Sequence, residues 1–483
     1  MWRWPRYSGA DLTRSLIAWL PEVLLILTAL GLASADVVGG AVRRRIRTFA
    51  VGGLLAAVAA AVYLAANRAA FYGTYFGGTL RFDDMTSFGR VLFCTAGALV
   101  VMASWEFYED ESRLEYFTLF VMSLLGEVIV VGGQTMLMLF IGIELLALPT
   151  YALTAIIRRQ QAAVEAGLKY FMLGMLASIV MLYGMSLLYG SFGTISYARP
   201  LFSGGTQMPG RADVVLFAFF LLFMGLGFKI VAFPFHFWSP DVYAGGSTPV
   251  VAYIATVPKV AIVLAIFRIL GPTYAAGYPT IRLYIGLLAL LSMTFGNLVA
   301  LQQSDVRRML AYSGISNTGY ALVGLVAGGE AAFGALLFFL TVYTFANLGA
   351  FFVILGVSGQ ESTLMDEFNG LAKRSPLLAA SMAIFLFSLG GTPPLAGFFG
   401  KFVLFKSAVD GGLAYLAAAG LINTVVAVGY YLRITQRMYA LPPTSPEARM
   451  PRPRGMLAVA LTLVLAATLL LGVFGIPWFA RVV

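Results

Sequence analysis

Apolar residues fall in long runs along this chain, and short polar stretches separate them from end to end. A helix needs on the order of 20 apolar residues to cross the hydrocarbon core of a bilayer. The 483 residues hold fourteen such runs, at about 16–36, 48–66, 86–106, 116–132, 135–157, 164–190, 212–236, 250–271, 282–301, 309–328, 331–357, 376–409, 413–436 and 455–477. They are numbered here as spans one to fourteen. The expected fold is all-α, a polytopic membrane protein of about 14 transmembrane helices. The longest connections, near 191–211, 358–375 and 438–454, are too short to be folding units of their own.

Two runs carry helix breakers. Span seven runs into Phe233-Pro234-Phe235, and span twelve contains Gly390-Gly391-Thr392-Pro393-Pro394. Proline removes a backbone donor and clashes with the preceding turn, so the helix kinks or opens there. In lipid the freed backbone groups need a partner, which puts such breaks inside the protein or beside a wet cavity. The two breaks lie five spans apart, an offset that reverses direction across the membrane. This predicts two inverted five-helix repeats with broken helices, a transporter pattern. The expected organisation is 1–114 for spans one to three, 115–275 for the first repeat (spans four to eight), 276–440 for the second (spans nine to thirteen) and 441–483 for span fourteen.

Composition fits this picture. The chain is 60% hydrophobic and 11% charged, with a mean hydropathy of +0.87. Soluble domains carry roughly 25% charged residues. The net charge of +10 does not point to nucleic acid, because the basic residues sit in clusters between spans, such as Arg43-Arg44-Arg45 with Arg47, and Arg307-Arg308. Loops after odd-numbered spans hold the larger share of Lys and Arg, which places them, by the positive-inside rule, in the cytoplasm and both termini outside. No cleavable signal peptide is expected, since the first run passes into Asp36 and Gly39-Gly40 without a small-residue cleavage motif. One cysteine, Cys94, and one histidine, His236, offer no disulfide framework, iron–sulfur spacing, haem site or metal cluster. No redox centre is expected on this chain.

Lysine usage carries the candidate chemistry. Of 32 basic residues only six are lysines, and five of them (Lys169, Lys229, Lys259, Lys401 and Lys406) fall within spans. Arginine does not release its proton in a protein, whereas a buried lysine shifts readily between charged and neutral forms. A charged residue at a helix centre disfavours insertion by about 2.5–3.5 kcal/mol, so such residues must face partners, water or the bundle interior. Lys406 stands four residues before Asp410 and reads as a surface pair. Lys169 stands four residues after Glu165, and both a local ion pair and a functional role are open for it. Lys229 precedes the Pro234 break by five residues, Lys259 follows Pro258 in mid-span, and Lys401 follows Pro394 by seven. None of these three has a carboxylate at helical spacing. Glu144, in the middle of span five, is the matching acid, with Lys229 as its candidate partner from another helix. Glu22 reads as a helix-terminal residue, Glu127 is undecided, and His236 is open between proton relay and structure.

Several local sequences resemble the antiporter-like subunits of respiratory complex I. They are Gly142-Ile143-Glu144-Leu145, Glu165-Ala166-Gly167-Leu168-Lys169-Tyr170-Phe171, the stretch from Gly227 through Pro234 and Pro240-Asp241-Val242-Tyr243 to Val250, and Gly391-Thr392-Pro393-Pro394-Leu395-Ala396-Gly397-Phe398 with Lys401. The resemblance covers about residues 115–440. Pro240–Tyr243, a lysine at 401 and an end after span fourteen, without a lateral helix, favour the subunit N branch over L and M. One departure is Gly246-Ser247-Thr248-Pro249, where the family more often has Ala-Pro-Thr-Pro.

The resemblance implies a proton-translocating subunit of an NADH:quinone oxidoreductase in the bacterial cytoplasmic (inner) membrane. Glu144 and Lys229 would form the pair of one half-channel, Lys169 would modulate it, Lys259 would be the central relay, and Lys401 would lead outward. It also implies no cofactor or metal on this chain. NADH, FMN, iron–sulfur clusters and quinone would belong to other subunits. The implied partners are the lipid bilayer and other complex I membrane subunits, including antiporter-like subunit M and small membrane subunits, with no nucleic acid. A Mrp-type Na⁺/H⁺ antiporter subunit is the alternative, since it shares the Lys/Glu pattern.

Overall fold

Helix occupies all fourteen apolar runs in the computed structural model, which describes residues 9–38, 45–108, 110–196, 212–271, 279–358, 363–443, 451, 453 and 455–482. Arg43, Arg44 and most of the connections at 191–211 and 438–454 lie outside the described residues. Among the described residues, ten helices are long and apolar enough to cross a membrane. The other four spans differ for reasons that bear on function. Span one is short (Leu20–Ala35). Span seven is cut at Lys229, and span twelve is split into Pro376–Gly390 and Ala396–Asp410. Span ten, Val306–Ala327, is buried nearly throughout but carries Ser313, Ser316, Asn317 and Thr318 in its middle. The all-α expectation holds with one small exception. Gly73–Tyr75 pairs antiparallel with Leu80–Phe82 between spans two and three.

Ion pairs and end contacts show which helix ends lie together. Arg158 after span five bonds Glu115 at the start of span four. Arg268 at the end of span eight holds Asp83 at the start of span three. Arg282 at the start of span nine donates to the Gly411 carbonyl after span twelve. Each contact joins ends that an alternating fourteen-span topology puts on one side.

Spans eight (Thr248–Leu270) and eleven (Gly329–Ser358) are buried along almost their whole length and form the axis of the bundle. Spans six, thirteen and fourteen turn apolar faces outward, with Leu176, Ile179, Val425 and Val473 exposed. In a bilayer that face meets lipid or another subunit. The expected repeats share a packing motif. Span four packs closely on five, and nine on ten. A Cβ at Gly126 would come within 2.4 Å of the Leu146 amide nitrogen, and one at Gly296 within 2.7 Å of the Ser316 amide nitrogen. Only glycine lets these backbones approach so closely.

Three spans are broken, one more than the sequence predicts. Span seven stops at Lys229 and resumes as the short helix Ser239–Gly245. Its freed groups find partners in spans nine and ten and nearby: Ser292 Oγ accepts from the Phe233 amide at 3.0 Å, Thr318 Oγ1 donates to the Ile230 carbonyl at 2.6 Å, and Trp238 Nε1 donates to the Phe228 carbonyl at 3.1 Å. Span eight also opens, between Ile254 and Val257, where Pro258 supplies no amide proton to continue the ladder. The Ala255 carbonyl left over there accepts from Tyr343 Oη at 2.8 Å.

Candidate functional site

The three lysines that lack a carboxylate at helical spacing are buried beside these breaks. Lys229, Lys259 and Lys401 are 6%, 3% and 4% exposed. The Lys259 nitrogen lies over Tyr243 at 5.5 Å and that of Lys401 over Tyr320 at 4.4 Å from the ring centroid, while that of Lys229 lies 5.5 Å from the Tyr151 centroid on the hydroxyl side of the ring. A ring face attracts a cation without supplying a fixed negative charge. Lys229 Nζ also donates to Tyr151 Oη at 2.9 Å. The nitrogens of Lys259 and Lys401 have no hydrogen-bond partner among the described residues.

The expected Glu144–Lys229 ion pair is not formed. Tyr151 stands seven residues after Glu144, about 10 Å of rise along the same face of span five, and Lys229 meets that lower turn. Glu144 is half-buried, with Oε1 unpartnered among the described residues, and its field acts on both Lys229 and Tyr151. The carboxylate and the amine are therefore coupled through space, with a phenol hydroxyl at the lysine.

Lys169 sits apart from this row. Its side chain is 44% exposed and pairs with Glu165 at 2.8 Å and Asp241 at 3.1 Å. Asp241 also bonds Arg308. The cluster joins span six, the short helix of span seven and the start of span ten. Lys406 pairs with Asp410 at 2.6 Å in the open, as its spacing predicts. Glu22 is at a helix start, as expected, but it is also buried and bonded to Arg90 at 2.7 Å. His236 packs between the rings of Phe233 and Phe295, and its Nδ1 is unpartnered among the described residues.

Span ten connects Lys259 to Lys401. A Cβ on Gly314 would come within 2.7 Å of Lys259 Nζ, so glycine makes room for the amine. Six residues on, roughly 9 Å along the helix, Tyr320 lies under Lys401. Between them Ser313 shares a hydrogen bond with Tyr431 Oη at 2.5 Å, and Asn317 bonds back to Ser313. Asn297 then ties Tyr320, Asn423 and Tyr430 together at 3.0–3.2 Å. These hydroxyls and amides went unnoticed in the sequence. The run Ser313-Gly314-Ile315-Ser316-Asn317-Thr318 inside an apolar span was the signal that could have found them.

A family model described as "NADH:quinone oxidoreductase/Mrp antiporter, TM" matches residues 133–427, which contain both Pro breaks and all the residues of the row. The chain belongs to the NADH:quinone oxidoreductase/Mrp antiporter family. A relative from Paramagnetospirillum magneticum named NADH-quinone oxidoreductase subunit N is 36% identical over 471 residues, 95% of each chain. A chain in the structure of respiratory complex I from Thermus thermophilus is 31% identical, with a TM-score of 0.80 over 94% of this chain and 96% of that one. A chain of the Mrp complex from Dietzia, 22% identical with a TM-score of 0.82 over 95% and 96%, shares the fold. This family member is of the subunit N type and is a multi-pass protein of the bacterial cytoplasmic membrane, as the sequence motifs anticipate.

Proposed function

We propose that this chain translocates protons as subunit N of a bacterial NADH:quinone oxidoreductase, through Glu144, Lys229, Lys259 and Lys401, with Lys169 modulating the inner end. The observation that carries this reading is the set of three buried lysines without a paired carboxylate, standing beside three helix breaks and linked by the polar middle of span ten. A lysine in such a place can hold or release a proton as the field around it changes. Lys229 would take up its proton on the side of Glu144 and hold it against the Tyr151 oxygen, which accepts its hydrogen bond. A proton leaving Lys229 has Lys259 as its next acceptor, and the hydroxyls and amides of span ten lead from there to Lys401.

The first repeat, 115–275, would supply two broken helices with Lys229 and Lys259, and the second, 276–440, one with Lys401. The chain is a translocase subunit without a redox centre, since one cysteine and one histidine cannot ligate an iron–sulfur cluster. NADH, FMN and quinone chemistry falls to other subunits. Those partners, antiporter-like subunit M and small membrane subunits among them, would cover outward faces such as the stripe of Leu137, Ile141, Glu144 and Leu148. A half-buried carboxylate on such a stripe is costly against lipid alone.

Lys259→Met in the complete, reconstituted complex tests the reading. The expected result is assembly with loss of proton translocation and of the quinone reduction coupled to it. Wild-type pumping in this variant would overturn the relay.

A further inference from the structure

Among the described residues, one buried acid has neither a place in the relay nor an ion-pair partner. Glu127, in span four (Asp110–Gly132), is 0% exposed, and neither carboxyl oxygen has a hydrogen-bond partner among the described residues. Its surroundings are polar but already committed. Ser123, one turn earlier, donates to the Leu146 carbonyl of span five at 2.9 Å and accepts from Tyr253 Oη of span eight at 2.9 Å. The Ser123 proton is therefore committed to the Leu146 carbonyl, and the Tyr253 hydroxyl, which lies beside the Glu127 carboxyl, has its single proton engaged by Ser123. Across span three, Cys94 lies within electrostatic reach of both Glu127 and Glu22, but the Arg90 guanidinium is engaged by Glu22. No described cation forms an ion pair with Glu127, and the Tyr253 hydroxyl is the one polar group beside it among the described residues. A buried carboxylate left in that state is far costlier than the neutral acid. The Tyr253 oxygen, by contrast, retains acceptor capacity. The form that suits this pocket is the acid, able to donate toward Tyr253.

Tyr253 also lies in the last turn of the first half of broken span eight, Thr248–Ile254, and Lys259 in the first turn of the second, Val257–Leu270. We propose that Glu127 is a second proton-binding site, protonated in this state, which exchanges its proton with the lysine row across Tyr253 at the break of span eight. The O–H bond of Glu127 breaks, and an N–H bond forms on a neutral Lys259 amine. Tyr253 and water entering the break carry the proton between them. A carboxylate and an ammonium result, and no electron moves. The site is a side store that loads or empties as the charge on Lys259 changes. Its acceptor rests on the relay reading, whereas its protonation does not.

Infrared difference spectroscopy on the complete complex, resting and turning over NADH and quinone, tests this. The wild type is expected to show a deuterium-sensitive carbonyl band of a protonated carboxyl that changes on turnover, and Glu127→Gln is expected to lose that band and pump fewer protons per electron. No lost band, or a lost band that is identical at rest and in turnover, overturns the proposal, as does an ionised Glu127 whose occupancy follows Na⁺. Should Glu127→Gln fail to assemble, Tyr253→Phe decides: the band stays and its turnover-linked change slows several-fold, whereas unchanged kinetics overturn the exchange path. A static Glu127 band together with abolished pumping in Lys259→Met would sink this inference alone. Wild-type pumping in Lys259→Met would sink the relay reading and leave the resting band to be judged by itself.

Discussion

Buried positive charge is handled in two ways in this molecule. In the N-terminal spans Arg90 holds Glu22 at 2.7 Å, donates to the Ala18 carbonyl at 2.9 Å and stacks over Trp19. Arg268 grips both oxygens of Asp83 at 2.8 and 2.9 Å. In the central row Lys229, Lys259 and Lys401 are buried as deeply and none forms an ion pair among the described residues. The residue types differ in the same way as the partners. Arginine keeps its proton, so a buried arginine needs an anion. Lysine has a neutral form available, so it can stand without one. On the proposed relay, pairing marks the charges that hold helices together, and its absence those that would be switched.

Lys401→Arg is the strongest way to break this comparison. It places a permanent charge where nothing balances it, next to Tyr320. The expected outcome is loss of proton pumping, measured as protons moved per electron in proteoliposomes. Unchanged pumping would mean that this position never needs to give up its proton. Glu22→Gln tests the other half. It leaves Arg90 buried without its anion, at a cost of about 3–5 kcal/mol. The complex should melt at lower temperature or assemble poorly, while whatever assembles pumps the normal number of protons per electron. A lowered ratio in assembled complex would move Glu22 and Arg90 out of the architectural class.

The sequence made the lysines legible and left the arginine pairs hidden. Fourteen helix positions followed from the length of apolar runs, and the breaks in spans seven and twelve from their prolines. Lys229, Lys259 and Lys401 stood out because a charge amid apolar residues is visible locally. Arg90 and Glu22 are 68 positions apart, and only the tertiary fold, with span two packed on both span one and span three, brings them together. The opening of span eight was missed because Pro258 looked like part of a continuous run. The polar middle of span ten was missed because leucine, isoleucine and valine on either side kept the run apolar. The expected Glu144–Lys229 pair failed on register along the helix, since Lys229 meets Tyr151 two turns further on, and spacing within one strand of sequence cannot give that register.

Tyr151→Phe sharpens the row from within. It removes the hydroxyl at Lys229 Nζ and keeps the ring. A hydrogen bond to a charged group contributes about 1.5–3 kcal/mol, so coupled turnover should fall by roughly ten- to a hundredfold while assembly is preserved. Lys259 and Lys401 have no such bond to lose. An unaffected rate would show that Lys229 is held by Glu144 and the ring alone, and would make the three lysines more alike than their contacts imply.

Lys169 falls between the two classes, and its expected effect is the smallest. It is a lysine, like the row, but it is 44% exposed, pairs with Glu165 and shares Asp241 with Arg308. Exposed pairs of this kind contribute about 0–1 kcal/mol. If its pairing decides its behaviour, Lys169→Arg keeps the charge, keeps the contact with Asp241 and leaves pumping near the wild-type ratio. If its residue type decides, the variant loses pumping as Lys401→Arg does. Protons per electron in the two arginine variants, measured side by side, separate the cases. A loss at both positions would place Lys169 among the groups that release a proton, and would show that a carboxylate partner does not by itself mark a charge as fixed.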